Sequence, residues 1–196
     1  MDARFPEFRL GNVLATSFTG TLSERHGNAV ERIPTPHRLV DWLTVSGLAV
    51  TSCTSAQLEL AWELRESIHA AATAAALRDV LPATAVRVIN ARSSQGRAAA
   101  VLTAEGDRHW RLSSPSRVED ALGVIAADAI DLISGERDGK LALCASPTCR
   151  AAFFDTSQSR TRRWCDMNTC GNRQKKARFN ANKGRSTATP RPPSRH

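Results

Sequence analysis

The sequence predicts a mainly α fold with one small β-hairpin, an α+β chain in which a helical N-terminal domain precedes a compact four-cysteine module. Three observations carry this expectation. Apolar residues recur every three or four positions through most of residues 8–135, the period of helices buried on one side. That period breaks once, between residues 98 and 112, into two short apolar runs separated by turn residues. Four of the five cysteines then fall within the 27-residue window from Cys144 to Cys170.

In chain order, Phe8, Leu10, Val13, Leu14 and Phe18 predict a short helix over 8–18. Residues 19–34 are polar and glycine-containing and read as a loop. Thr35-Pro36 opens a helix with proline at its first position, apolar at Leu39, Val40, Trp42 and Leu43 and ended by Gly47. Thr54 or Ser55 caps a long Ala-, Leu- and Glu-rich helix to about Val80. Pro82 starts another, which Gly96 breaks. Ala98–Thr103 and His109–Leu112, joined through Glu105-Gly106-Asp107, form the hairpin. Ser114-Pro115 begins the last helix of this domain, through Val118, Leu122, Ile125, Ala129 and Ile133 to Gly135. In the module, Lys140–Leu143 and Ala151–Phe154 predict two paired strands with the first cysteine pair at their turn. A helix is expected from just after Cys165, or near Cys170, to about Asn182.

Cys144-x4-Cys149 and Cys165-x4-Cys170 are two short pairs with 15 residues between them. No stretch of about 18 apolar residues occurs, and the acidic start lacks the apolar region of a signal peptide. A cytoplasmic chain is therefore expected, where structural disulfides are rare. Four soft thiolates so spaced suit one tetrahedral zinc, closed to water and hence structural; a redox-sensitive dithiol pair is the alternative. Cys53 has no neighbour in sequence and reads as a small buried hydrophobe.

Charge separates the two parts. Residues 1–143 hold 15 Lys/Arg and 17 Asp/Glu, whereas residues 144–196 hold 12 Lys/Arg and only Asp155 and Asp166. The C-terminal part is thus +10, or about +8 once four thiolates and Zn²⁺ are included. A focused basic region is the footprint of a polyanion, and DNA is the expected partner. On a helical wheel Arg173, Lys176 and Lys183 share one flank, and with Arg163 they are the candidate phosphate contacts. A solvated surface helix, or a protein partner, is the competing reading. The segment 184–196, rich in Ser, Thr, Pro and Arg, reads as a disordered tail.

The segments Cys144-Ala-Ser-Pro-Thr-Cys149, Phe153-Phe-Asp-Thr-Ser157, Arg162-Arg-Trp-Cys165 and Cys170-Gly-Asn-Arg173 closely resemble the CGNR zinc finger, over residues 140–183. In that family the finger follows an ABATE domain, described as a stress-induced transcription regulator. Residues 5–135 are compatible with that domain in length and order. Phe18-Thr-Gly-Thr-Leu-Ser-Glu-Arg25 is similar to its Phe-x-Asn-Thr-Leu-x-x-Arg pattern, with Gly20 where the family has Asn. The resemblance implies a bacterial-type transcription regulator whose N-terminal domain senses a signal or forms a homodimer. Thr21, Arg25 and Trp42 are the candidate lining of a small-molecule pocket. Histidines 26, 37, 69, 109 and 196 are scattered, no nucleophile–base set or phosphate loop occurs, and no enzyme is expected.

Overall fold

The structure, a computed structural model, describes residues 5–113, 115 and 117–186. The mainly helical α+β architecture is as the sequence predicts. The elements are α1 (Leu14–Thr19), β1 (Leu22–Ser23), β2 (Val30–Glu31), α2 (Pro36–Val45), α3 (Ser55–Leu77), α4 (Ala83–Gln95), β3 (Ala98–Leu102), β4 (Arg108–Leu112) and α5 (Val118–Ile133). The C-terminal module adds β5 (Lys140–Leu143), β6 (Ala152–Asp155), a π-helical turn (Met167–Gly171) and α6 (Asn172–Ser186). Among the described residues, all three strand pairs are antiparallel. Among the described residues no helix is long and apolar enough to cross a membrane.

Local chemistry explains the long helices. Thr35 caps α2 by accepting from Arg38 N at 3.3 Å, with Pro36 in the first turn where its missing N–H costs nothing. Thr54 and Gln57 form a reciprocal capping box at the start of α3. α3 then buries Leu58, Ala61, Leu64, Ile68 and Ala71, and α5 packs Val118, Leu122, Ile125 and Ala129 against it. Gly96 and Gly123 let the end of α4 touch α5. A Cβ on Gly96 would lie 2.6 Å from Gly123 Cα, closer than any side chain tolerates. Buried Asp120 holds the stem of the β3–β4 ribbon, accepting from Arg97 N at 2.7 Å and from the Ser113 hydroxyl.

Three expectations change. The helix expected over 8–18 is present only as Leu14–Thr19, and residues 5–13 cross the domain as a non-helical strap. Two buried arginines account for this: Arg38 donates to Pro6 O at 3.0 Å and Arg32 to Glu7 O at 2.8 Å, taking carbonyls that a helix would need. Arg38 also lies 4.0 Å over the Phe8 ring. The loop 19–34 contains a ladder, Leu22 opposite Glu31 and Ser23 opposite Val30, too short for any periodicity to reveal. Finally, α6 continues through Gly184 to Ser186, into the segment read as tail. Ser114 and residues 187–196 lie outside the described residues.

The β5–β6 hairpin joins the two parts. Leu141 pairs with Phe154 and Ala142 with Phe153, so adjacent pairs face opposite sides of the ribbon. Phe154 and Leu141 belong to the main core, whereas Phe153 and Ala142 cover the cysteine cluster. One ribbon thus floors the metal site and anchors it to α3.

His69 on α3 gives a pH prediction. Burial, and then Arg25, with Arg65 and His26 adding to it against the anion Glu66, push its imidazole down from 6.5 to about 4. The fold favours neutral His69, so this stabilisation is complete above about pH 6.5 and is lost as pH falls toward 4. Urea unfolding should lose on the order of 2 kcal/mol across that window, and His69→Gln should remove that component of the pH dependence.

Candidate metal centre

The first cysteine pair sits in the turn of the β5–β6 hairpin. Cys144 N donates to Ala151 O at 2.9 Å, and the N–H groups of Cys149 and Arg150 both donate to Ser146 O at 3.1 Å, closing a tight knuckle. The second pair straddles the π-helical turn. Asp166 caps that turn, its Oδ1 accepting from Thr169 N at 2.6 Å and Thr169 Oγ1 at 2.7 Å. The extra residue per turn lets Cys170, five positions on, return to Cys165. Asp155 shapes the connection, accepting from Ser157 N and Arg162 N, each at 2.9 Å. Trp164 packs against the cluster, as does Phe153.

The four Sγ atoms lie within 4.8 Å of one another. Cys149 and Cys165 are 3.6 Å apart, and Cys165 and Cys170 3.7 Å. A tetrahedron with Zn–S bonds of about 2.3 Å has sulfur–sulfur edges of about 3.8 Å, so the cage already has the size of a zinc site. The electrostatics ask for the same ion. Hydrogen bonds from Cys149 and Cys165 bring the Cys144 thiol down to about 2. Further ionisation is opposed: its link to Cys144 pushes Cys149 up to about 12, and Cys144 and Cys149 together raise Cys165 further. Four thiolates at this spacing coexist only around a multivalent cation, and an all-sulfur tetrahedral set selects zinc over hard cations.

Residues 140–183 match the CGNR zinc finger, and residues 12–136 match the ABATE family, described as "Putative stress-induced transcription regulator". The chain belongs to the ABATE family. No curated protein matches it. Its four module cysteines form a single zinc site, with no ligand position left open.

The other candidate residues of this ABATE protein are placed less uniformly. Lys176 and Lys183 are exposed on α6. Arg163 is exposed, its guanidinium 5.5 Å from the Trp164 ring centroid. Arg173 departs from the expected phosphate contact. Its guanidinium grips Glu24 of the N-terminal domain with two hydrogen bonds, the one from Nη2 at 3.0 Å, and reaches Thr148 Oγ1 at 3.1 Å. Thr148, inside the first knuckle, itself donates to Glu24 at 2.7 Å. His26 N donates to Thr148 O at 3.0 Å, and Gly27 leaves room for the Thr148 side chain, which a Cβ would meet at 3.1 Å. The signature arginine therefore clamps the zinc module to the β1–β2 loop. Hydrogen bonding to Arg173 holds the Glu24 carboxyl below its ordinary range.

The expected small-molecule pocket is not assembled from Thr21, Arg25 and Trp42. Trp42 is 1% exposed and packs on Phe18, ring centroids 5.1 Å apart. Buried Thr21 donates to Phe18 O at 2.7 Å and accepts from Arg65. Arg25 is taken by Glu66 and by Thr19 O. These side chains are parts of the core and of a buried ion-pair network centred on Arg65, which also holds Glu31 at 2.8 Å. Cys53 is half-buried against the core, close to its expected role.

Proposed function

We propose that this chain is a DNA-binding regulator, non-enzymatic, whose zinc module presents α6 to the phosphate backbone. One observation supports the reading above others. α6 carries Arg173, Lys175, Lys176, Arg178, Lys183 and Arg185 with no acidic residue, and its main packing is against the π-helical turn that precedes it. A helix so basic, with so little of its surface covered, suits an anionic partner. Zinc fixes its first turn, so its cations are held at set positions and lose little entropy on meeting a polyanion. Because Arg173 is occupied by Glu24, the contacts fall to Lys175, Lys176 and Arg178, with Lys183 and Arg163 flanking them.

Titrating a DNA duplex at several salt concentrations tests this. Log affinity should fall linearly with log salt, by about 0.9 per phosphate neutralised. Changing Lys175, Lys176 and Arg178 together to Gln should flatten the slope by up to about three units. Arg173→Gln should change the slope little. Binding indifferent to salt, or a triple variant as tight as the parent, would instead favour a protein partner for this helix.

A further inference from the structure

The two knuckles meet the N-terminal domain around a cavity of about 200 Å³. Leu22, Ala152 and Phe154 give it apolar lining, and Arg9 and Arg162 line it as well. Two metal ligands, Cys149 and Cys165, contribute to its wall. The four ligands differ sharply in exposure. Cys144 and Cys170 are at most 1% exposed and Cys149 3%, whereas Cys165 is only half-buried. Cys165 has Cys149 at 3.6 Å and Cys170 at 3.7 Å as near sulfur partners.

We propose that Cys165 is an oxidation site: a small hydroperoxide entering this junction cavity reacts at its sulfur, and the product closes a disulfide with Cys149 or Cys170. The thiolate of Cys165 attacks the terminal peroxide oxygen. An S–O bond forms, the O–O bond breaks, and the electron pair leaves on an alkoxide that takes a proton from water. Arg9, Arg162 and Asp166 line the same cavity, and Arg162 donates to the Cys165 carbonyl, holding that ligand's backbone at the cavity wall. The sulfur, oxidised by two electrons, is now a sulfenic acid. The thiolate of Cys149 or Cys170 attacks it, forming S–S and releasing hydroxide, which is protonated. In sum, two thiolates, one hydroperoxide and two protons give one disulfide, one alcohol and one water. The zinc loses two of its four thiolate ligands and with them its site.

The fifth cysteine is an internal control. Cys53 is of similar exposure but lines neither the cage nor the cavity, and burial, with Glu119 nearby, raises its thiol above the ordinary range. No metal holds Cys53 as a thiolate, so it should react later.

The test uses the full-length, zinc-loaded protein and tert-butyl hydroperoxide. Thiols are trapped at intervals with iodoacetamide, peptides are mapped by mass spectrometry, and released zinc is followed with a chromogenic chelator. The expected first product links Cys165 to Cys149 or Cys170, with one zinc released per disulfide and Cys53 still free. Thr16→Phe, and separately Leu10→Trp on the exposed strap, narrow the cavity; each should keep one zinc and slow its release about tenfold or more. Early oxidation at Cys53, a first disulfide that omits Cys165, or release undiminished in the narrowed variants that retain zinc would overturn the proposal.

Discussion

Replacing Cys144, Cys149 or Cys170 by serine should strip the zinc and unfold the C-terminal module. A structural site of four thiolates contributes on the order of 10–16 kcal/mol of binding free energy, nearly all of it folding free energy. Serine offers a hydroxyl that stays protonated at neutral pH, so each substitution should cost about a thousandfold or more in metal affinity. The damage should not stop at the metal. Phe153 and Ala142 lose the cluster they cover, while Phe154 and Leu141, on the other face of the same ribbon, are part of the main core. Loss of the module should therefore also lower the thermal midpoint of the N-terminal domain, whereas Cys53→Ser should leave metal content unchanged. Metal analysis after chelator-free purification, with near-ultraviolet circular dichroism of the Trp164 environment, reads both effects. A Cys170→Ser protein that keeps one zinc per chain would refute the four-cysteine cage.

Much of this architecture was legible because its causes are local. Thr54 with Gln57, and Thr35 with Pro36, announce helix starts within four residues. The two cysteine pairs announce their metal by residue type and spacing. What escaped was decided by distant partners. The strap at 5–13 has helix-like apolar spacing, yet Arg32 and Arg38, more than twenty residues away, claim its carbonyls. Trp42 has the composition of a pocket-lining residue, and only the packing of Phe18 and α2 shows that it is core. Arg173 is the clearest instance. A helical wheel places it with Lys176 and Lys183, and nothing nearby reveals that a carboxylate 149 positions earlier occupies its guanidinium. Positive charge counts in sequence report what a helix carries, and long-range pairing decides which of those charges remain available.

The Glu24–Arg173–Thr148 clamp should show the second large effect, and its backbone makes the prediction specific. Glu24 adopts φ of 55°, a left-handed conformation that costs a non-glycine residue about 1–2 kcal/mol. The fold retains it because that conformation accompanies a carboxylate that accepts three hydrogen bonds, two from Arg173 and one from Thr148. Charge-assisted bonds of this kind contribute roughly 1.5–3 kcal/mol each when partly shielded from water. Glu24→Ala should therefore destabilise the protein by about 2–4 kcal/mol, since it removes the acceptor and keeps the strain. Glu24→Gly removes the same acceptor but relieves the backbone, and should recover about 1 kcal/mol of that loss. Arg173→Lys should behave like a partial loss, because an ammonium cannot reproduce the two-pronged grip. A double-mutant cycle between Glu24→Gln and Arg173→Gln should then give a coupling energy of about 1–3 kcal/mol, where independent sites would give none. The Glu24 carboxyl is held below its ordinary value, so the clamp's contribution should persist through mild acid and vanish only as pH falls through that lowered value. Additive effects in the cycle would show that the signature arginine does not tie the zinc module to the β1–β2 loop in solution, and a Glu24→Gly protein less stable than Glu24→Ala would show that the left-handed backbone at Glu24 is not strained.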